Sequence, residues 1–235
     1  MKQVLVTGAS SDIGLAVCQK YLDADWRVIG HYKTERLELD KLRGDRFKKW
    51  HCDFSNIKNL ENDLKVDILN ISKSNAFINL AAHLSPVKFS DATSENIMTT
   101  LNINLLPGLL IMKFLGTKMV ANKFGRIVHG SSIGVKFGGG ESSFNYSLSK
   151  HAQEFIPQEC QKWAKNNVFI NIVRIGVTKT RLHSKIPSKN MTTRTKLIPI
   201  GRLATPAEIA EPLFWLGSDK NSFTTNEVIS VSGGE

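Results

Sequence analysis

The sequence Thr7-Gly-Ala-Ser-Ser-Asp-Ile-Gly14 follows a short apolar run, Lys2 to Thr7, and leads into Leu15 to Ala24, which has helical spacing. A run rich in Val and Leu is typical of a buried parallel strand. In a strand–turn–helix unit, Gly8 permits a tight turn and Gly14 lets the helix pack closely. Free N–H groups at the start of such a helix bind phosphate, so the unit predicts a dinucleotide site. An ordinary strand-to-helix turn is the alternative.

Six further apolar runs follow, and helical segments separate most of them. Strands joined by helices form a parallel sheet with right-handed crossovers and helices on both faces. We therefore predict an α/β protein, a three-layer, doubly wound Rossmann fold with a mainly parallel seven-stranded sheet, in one domain over residues 1–235. The predicted strands are 2–7, 26–31, 47–52, 75–80, 125–130, 168–173 and 227–231.

Two of the predicted helices, 94–122 and 143–166, contain a proline. Proline removes a helical hydrogen bond, so we expect a kink at Pro107 in the first and a bend at Pro157 in the second. Asn104 lies three residues before Pro107, where a side chain or a water molecule can meet a freed carbonyl.

The composition is that of an ordinary globular chain, with 41% hydrophobic and 22% charged residues. The three cysteines are scattered without metal-binding spacing, which fits a reducing cytoplasm and predicts neither a disulfide nor a metal site. No apolar run reaches the ~18 residues that span a membrane. The first strand also leaves no room for a signal peptide. We therefore expect a cytoplasmic protein without a membrane partner.

The net charge of +10 comes entirely from one acid-free segment, Cys160 to Ala207, because the rest of the chain has equal numbers of basic and acidic residues. Such a segment attracts anionic partners. It could instead form a solvated face or pair with acids of another subunit. A nucleic-acid partner is not expected, because Pro187 and Pro199 interrupt the segment and no nucleic-acid-binding motif accompanies it. Its basic residues are Lys162, Lys165, Arg174, Lys179, Arg181, Lys185, Lys189, Arg194, Lys196 and Arg202.

The end of the second strand bears on the choice of nucleotide. An acid there would bind a ribose 2′-hydroxyl and indicate NAD, but the sequence is His31-Tyr-Lys33-Thr34, with no acid before Glu35. Lys33 could meet a 2′-phosphate, so NADP(H) is favoured over NAD(H), although Lys33 could also be a solvated loop residue. Asp53, after the third strand, could accept a hydrogen bond from adenine or cap the next helix.

Tyr146 and Lys150 are four residues apart on a predicted helix and so share one face. An ammonium beside a phenol lowers the phenol pKa, and such a pair can exchange a proton with an oxygen above it. Ser131 and Ser132 end the preceding strand and could deliver a hydroxyl to the same place. Surface decoration is the alternative for a Tyr–Lys spacing taken alone.

The order and spacing of these motifs resemble the short-chain dehydrogenase/reductase family over nearly the whole chain. The segment from Pro199 to Ala210 is similar to that of the 3-oxoacyl-acyl-carrier-protein reductases. The matching residues are Thr7, Gly8, Gly14, Asp53, Asn79, Asn104, Ser132, Tyr146, Lys150, Gly176, Thr180, Gly233 and Gly234.

The resemblance implies hydride transfer between nicotinamide and a carbonyl or secondary alcohol. Tyr146 would transfer the proton, Lys150 would lower the phenol pKa and bind the nicotinamide ribose, and Ser132 would polarise the substrate oxygen. Asn104, through water, would link Lys150 to solvent. The implied cofactor contacts are Gly8, Ser10, Ser11, Asp12, Ile13, Gly14, Lys33, Asp53, Phe54, Asn79, Ala81, Tyr146, Lys150, Gly176, Thr178 and Thr180.

The family's substrate loop corresponds to about 176–204, within the basic segment, which favours an anionic small-molecule or acyl-carrier-linked carbonyl substrate. The resemblance also implies a homodimer or homotetramer, with helices 94–122 and 143–166 at the dimer seam. The alternative is a catalytically weak cofactor-binding or regulatory protein. Departures from the family pattern suggest it: Asp12 replaces the middle glycine of the loop, Ala82 a glycine, and Ile175 a proline.

Overall fold

The computed structural model describes residues 1–42, 44–182 and 191–235. Seven strands form one sheet in the order β3-β2-β1-β4-β5-β6-β7, and every pairing between neighbours is parallel. The predicted seven-stranded, doubly wound sheet is therefore confirmed. The strands are β1 (Gln3–Thr7), β2 (Arg27–Tyr32), β3 (Phe47–His51), β4 (Ala76–Asn79), β5 (Gly125–Ser132), β6 (Val168–Ile175) and β7 (Val228–Val231).

Helices cover both faces of this sheet and enclose two separate hydrophobic clusters. One cluster joins the sheet to the first and last helices, and the other joins it to the helices between β3 and β5. The helices are α1 (Asp12–Asp23), α2 (Leu37–Lys41), α3 (Ile57–Lys65), α4 (Ser94–Asn104), α5 (Leu106–Ala121), α6 (Phe144–Ala152), α7 (Gln158–Gln161), α8 (Met191–Lys196) and α9 (Pro206–Leu216).

The predicted helix 143–166 is wrong in its extent. Helix α6 ends at Ala152, and the short α7 begins only after Pro157. Proline lacks the N–H that would continue the helix and disfavours helical conformation in the residue before it. The chain therefore breaks between Gln153 and Pro157 rather than bending.

The predicted helix 94–122 is two helices, α4 and α5, that meet at Leu105. Pro107 lies in the first turn of α5, where its missing N–H costs nothing. By length and hydropathy alone the combined segment could cross a membrane, but the core helices of soluble proteins pass the same test. In its most apolar window, 33% of the residues are buried. In this fold the inner side of α5, including Ile111 and Leu115, packs on the sheet.

Helix α1 begins at Asp12, three residues earlier than predicted, because Ser11 caps it. The Ser11 hydroxyl accepts a hydrogen bond from the N–H of Gly14 at 3.0 Å. This cap places the first turn of α1 directly after β1, at the carboxyl edge of the sheet, where doubly wound proteins bind ligands.

Candidate active site

The turn between β1 and α1 needs both of its glycines. Gly8 has a φ of +69°, and a Cβ there would lie 2.8 Å from the main-chain N of Ala81. A Cβ on Gly14 would lie 2.2 Å from the carbonyl oxygen of Gly8, which is closer than such atoms approach. The turn is thus pressed against the loop after β4 and against its own helix.

The start of α1 offers main-chain N–H groups to a ligand. The N–H groups of Ser10, Asp12 and Ile13 donate no hydrogen bond to any residue that the structure describes. Unpaired N–H groups at a helix N-terminus attract phosphate oxygens. These residues therefore offer donors of the kind that bind the pyrophosphate of a dinucleotide.

Asp12 does not leave an uncompensated charge beside this turn. Its carboxylate accepts hydrogen bonds from the main-chain N–H of Arg181 at 2.9 Å and from the Arg181 guanidinium, and Arg36 lies 3.6 Å away. Arg181 directly follows Thr180, so the ion pair also holds the segment after β6 against the turn. The departure at Asp12 is therefore matched by cations of the same chain.

His31 lies at the end of β2, beneath the glycine turn. Its Nδ1 accepts the N–H of Gly8 at 3.2 Å, and its Nε2 lies 2.8 Å from the carbonyl oxygen of Cys52. Burial lowers the pKa of His31 to about 4, so the imidazole is neutral. Phe54 stacks on this ring with centroids 3.9 Å apart and is itself buried. The ring of Phe54 is covered by His31, so the cofactor contact predicted at Phe54 stays a prediction for its main chain.

Lys33 and Asp53 form an ion pair at 2.9 Å. Asp53 also accepts the N–H and hydroxyl of Ser55. Burial opposes ionisation of Asp53, but these partners together lower its pKa to about 2. Asp53 does not cap α3, since Asn56 occupies the cap position.

The sequence analysis missed a second cation after β2. Arg36 has a side chain only 18% exposed, and its guanidinium donates to the carbonyl oxygen of Ser10 and to Glu38. It is therefore anchored to the phosphate turn itself. The signal was present in the sequence, because Arg36 lies three residues after Lys33 in the same connection.

Asn79 is a structural residue rather than an open cofactor contact. Its Oδ1 accepts the Thr7 hydroxyl at 2.8 Å, and its Nδ2 lies 3.0 Å from Nδ1 of His129. The Asn79 side chain is buried and both of its polar atoms are paired. The cofactor contact predicted at this position would therefore have to be made by other atoms nearby. Ala81 donates its N–H to the Thr7 hydroxyl, at 3.3 Å, and so shares this support.

The residues after β6 have two different environments. A Cβ on Gly176 would lie 2.5 Å from the Cα of Ser232, so Gly176 serves close packing against the end of β7. Thr178 is buried, and its hydroxyl donates to the Gly176 carbonyl oxygen. Thr180 is half-buried beside Arg181 and is better placed to meet a ligand.

Tyr146 and Lys150 lie on one face of α6, with the Lys150 nitrogen 5.8 Å from the centroid of the phenol ring. The Tyr146 hydroxyl has no hydrogen-bond partner within the part of the chain that the structure describes. Burial raises the pKa of Tyr146 to about 12, and burial also lowers the pKa of Lys150 to about 7. The expected lowering of the phenol pKa is therefore not found here, since burial outweighs an ammonium at this distance.

The Lys150 ammonium has two acceptors, the carbonyl oxygen of Gly130 at 2.7 Å and Oε1 of Gln153 at 3.0 Å. Nε2 of Gln153 donates to the carbonyl oxygen of Asn104. The side chain of Gln153 thus spans the distance between Lys150 and Asn104, where a water molecule was expected. Gln153 was missed because nothing in its spacing marks it.

Asn104 holds α4 to its neighbours. Its Oδ1 accepts the N–H of His83 at 2.6 Å, and its Nδ2 donates to the His83 carbonyl oxygen and to the Ser149 hydroxyl. The side chain is buried and fully used, so only its carbonyl oxygen, at the break between α4 and α5, points toward the Lys150 side.

The two candidate serines are separated by the alternation of β5. Ser131 is buried and donates to Glu154 at 2.7 Å. The Ser132 hydroxyl accepts the N–H of Gly134 at 3.1 Å, and a Cβ on Gly134 would lie within 3.3 Å of the hydroxyl oxygens of both Ser132 and Ser147. Ser132 therefore faces the first part of α6, next to Ser147, whereas the Ser131 hydroxyl faces the end of α6 and also bonds the carbonyl oxygen of Lys150 at 3.3 Å.

Comparison with known proteins shows the family to which the chain belongs. A family model described as enoyl-(acyl carrier protein) reductase matches residues 8–235. An acetoacetyl-CoA reductase of Rhizobium meliloti is 30% identical and covers 98% of this chain and 97% of its own, and a 3-oxoacyl-[acyl-carrier-protein] reductase of Thermotoga maritima is 29% identical over 99% and 97%.

Among solved structures, a 3-oxoacyl (acyl-carrier-protein) reductase of Agrobacterium tumefaciens with NADP bound superimposes with a TM-score of 0.88 at 23% identity, covering 100% of this chain and 94% of that one. This likeness shows the fold. The family match extends over nearly all of the chain, from the glycine turn to the last residue. The chain therefore belongs to the short-chain dehydrogenase/reductase family and is an NAD(P)-dependent oxidoreductase.

Proposed function

We propose that this enzyme uses NADPH to reduce the carbonyl group of an anionic 3-oxoacyl compound carried on coenzyme A or on an acyl carrier protein. The observation that carries the proposal is the hydroxyl of Tyr146, which has no hydrogen-bond partner among the described residues. It lies next to Lys150 on the face of α6 toward which Ser132 is directed. At neutral pH the high pKa of Tyr146 keeps the phenol protonated, which is the form that donates a proton to a carbonyl oxygen.

Each side chain has a defined part in this reaction. A bound nicotinamide supplies the hydride. Tyr146 gives its proton to the substrate oxygen, and the positive charge of Lys150 stabilises the phenolate that remains. The Ser132 hydroxyl accepts the N–H of Gly134 and keeps its own O–H free to bond the substrate oxygen.

The preference for NADPH rests on the cations after β2. The end of β2 is occupied by His31, which is neutral and buried, and not by an acid that could bind a ribose 2′-hydroxyl. Lys33 and the anchored Arg36 offer positive charge at the same place, and a guanidinium suits a phosphate group.

The anionic substrate is supported by the basic segment and by the names of the relatives. Four of its arginines are paired with acids of the same chain: Arg174 with Glu154, Arg181 with Asp12, Arg194 with Glu235 and Arg202 with Glu208. Its described lysines, Lys162, Lys165, Lys179 and Lys196, are exposed. Lys185 and Lys189 lie outside the described residues. The free positive charge is thus carried by lysines and is smaller than the sequence suggested.

The test is NADPH oxidation with a panel of 3-oxoacyl thioesters and neutral ketones. We expect thioesters to be reduced and Tyr146→Phe to lose turnover while it still binds NADPH. Activity in Tyr146→Phe would contradict the assignment. Binding of NADPH by the unmodified protein without reduction of any carbonyl would favour the cofactor-binding or regulatory alternative.

Ionic strength separates steering of the substrate from chemistry. If the lysines attract the thioester, its kcat/KM should fall with added salt, while that of a neutral ketone should stay constant. An equal response of both substrates would reject the anionic preference.

We also propose a homodimer or homotetramer, with the outer faces of α4, α5 and α6 as the seam. Large apolar side chains there are exposed in the single chain, including Met98 of α4 at 53%, Leu106 of α5 at 38% and Leu148 of α6 at 44%. Light scattering of Leu148→Glu should show a smaller particle than the unmodified protein, and an unchanged mass would place the seam elsewhere.

A further inference from the structure

We propose that Gln153 is a positioning residue for the reaction, because its amide fixes the ammonium group of Lys150 and occupies the route from Lys150 to the main chain of Asn104. This inference rests on the proposed function of Lys150. Gln153 follows the last residue of α6 and is buried.

The orientation of the Gln153 amide is determined by its neighbours. The carbonyl oxygen of Asn104 can only accept, so it must face the NH₂ group of the amide. The amide oxygen then faces Lys150, at 3.0 Å, and accepts from it. Reversing the amide would set two donors against each other at Lys150 and two acceptors at Asn104.

This amide limits where the ammonium can point. An ammonium group has three N–H donors, and Lys150 uses two of them on Gly130 and Gln153. The third is left for the cofactor and Tyr146. Both occupied acceptors are neutral and hold the ammonium without cancelling the charge that Tyr146 needs.

The same amide interrupts a proton path. A water molecule between Lys150 and Asn104 could pass a proton by exchanging its own, but the Gln153 amide would have to give up an N–H to do so. The Gln153 amide therefore blocks proton transfer from Lys150 toward Asn104, and the proton that Tyr146 donates must be replaced by another route.

Two titratable groups near Lys150, His129 and Tyr146, have pKa values far from neutral. On β5, His129 is neutral in this range because burial, and then the charge of Lys150, lower its pKa to about 4. On α6, the pKa of Tyr146 is raised by burial. The only acid of α4 is Glu95, which is exposed in its first turn.

The remaining charges around α6 are paired or exposed. Beyond its end, Glu154 is ionised and bonded to Arg174 of β6, although burial opposes its charge. His151 is exposed and lies 4.0 Å from Glu154. In the turn after β5, Lys136 donates to the carbonyl oxygen of Glu235. The titration is therefore read from the NMR signal of Lys150 itself and not from the pH dependence of activity alone.

The experiment compares Gln153→Leu, Gln153→Glu and Gln153→Ala in the full chain. Lysine side chains are labelled for NMR, and the Lys150 signal is identified by its loss in Lys150→Met. Gln158→Leu and Gln158→Glu, at an exposed position on α7, serve as matched controls. Thermal unfolding of every variant reports whether it folds.

We expect the pKa of Lys150 to fall by roughly one unit in Gln153→Leu, because the ammonium loses an acceptor, and to rise in Gln153→Glu, because it gains a negative neighbour. The alkaline limb of kcat should move in the same two directions. Gln153→Glu keeps the size of the side chain, so it tests the proposal even if the leucine variant fails to fold.

Gln153→Ala separates hydrogen bonding from packing. Alanine leaves room for a water molecule that can accept from Lys150 and donate to Asn104, whereas leucine excludes it. A hydrogen-bonding role predicts that the alanine variant is closer to the unmodified enzyme in Lys150 titration. A packing role predicts the reverse, because alanine leaves the larger gap.

Two results would overturn the proposal: a Lys150 pKa that is equal in Gln153→Leu, Gln153→Glu and the Gln158 controls, or shifts of the same sign in the leucine and glutamate variants. The NMR titration needs no substrate. If no carbonyl compound is reduced, the proposed function fails while the assignment of Gln153 is still decided.

Discussion

Replacing Arg36 by alanine should reduce the preference for NADPH more than replacing Lys33. Both cations follow β2, but their settings differ. The Arg36 side chain is 18% exposed and is anchored to the carbonyl oxygen of Ser10, in the phosphate turn. The Lys33 side chain is 59% exposed and already paired with Asp53. A 2′-phosphate would therefore meet the anchored guanidinium of Arg36 and the exposed ammonium of Lys33, whose charge is partly neutralised by Asp53.

The exposure and the pairing of each cation determine how much its replacement should change the preference for NADPH. A hydrogen bond to a charged group contributes about 1.5–3 kcal/mol, which corresponds to roughly a 10- to 160-fold change in the ratio of kcat/KM for NADPH to that for NADH. An exposed ion pair contributes about 0.2–1 kcal/mol, so Lys33→Ala should lower the ratio by no more than about fivefold. The structure therefore reverses the sequence-based emphasis on Lys33.

The assay measures kcat/KM for both cofactors in Arg36→Ala and Lys33→Ala with one carbonyl substrate. Arg46→Ala is the matched control, because Arg46 pairs with Asp25 at the amino edge of the sheet, opposite the glycine turn. Its ratio should equal that of the unmodified enzyme. If Arg36→Ala leaves the ratio unchanged, or lowers kcat/KM equally for NADPH and NADH, the guanidinium does not recognise the 2′-phosphate.

Other substitutions test single contacts. Gly14→Ala should destabilise the protein by about 1–3 kcal/mol, since its Cβ would meet the Gly8 carbonyl oxygen, and should weaken cofactor binding; thermal unfolding and fluorescence titration measure these effects. Ser132→Ala should lose most turnover. Ser131→Ala should keep its turnover but be less stable, because it lacks the hydrogen bond to Glu154. Unchanged turnover in Ser132→Ala would contradict the choice of Ser132 over Ser131. Burial opposes ionisation of Glu154, but its hydrogen-bonded partners lower its pKa in the folded protein. The contribution of Glu154 to the free energy of unfolding should therefore be complete above the unfolded-state pKa of ~4.3, and it should be lost as the pH falls through the lower pKa of the folded state. Acid titrations of unfolding should show a weaker decline in Glu154→Gln.

The sequence predicted the sheet well because apolar runs and glycine turns are local signals. Seven strands were located from apolar runs in the sequence, and their parallel direction follows from helical connections. The ends of the helices were predicted less well. Pro157 stops α6 rather than bending it, and the cap at Ser11 starts α1 at Asp12, because both outcomes depend on contacts that spacing does not reveal.

The candidate site was predictable where a residue type fixes the chemistry. Tyr146, Lys150 and the glycine turn lie as expected, and the alternation of β5 separates Ser132 from Ser131. The electrostatics were not predictable, because burial is a property of the whole fold. Burial raises the pKa of Tyr146 and lowers that of Lys150, opposite to the effect expected from two groups in isolation.

Asp12 shows why a departure from a family pattern cannot be judged from the motif alone. In the sequence it is a carboxylate placed where phosphate is expected, which suggests a weakened cofactor site. In the structure Arg181, 169 residues away, bonds that carboxylate through its main chain and its guanidinium, and Arg36 lies beside it. The acid therefore attaches the segment after β6 to the glycine turn instead of repelling the cofactor. A substitution in a binding loop is harmful only if its charge has no partner, and the partner here belongs to the basic segment that gives the chain its net charge.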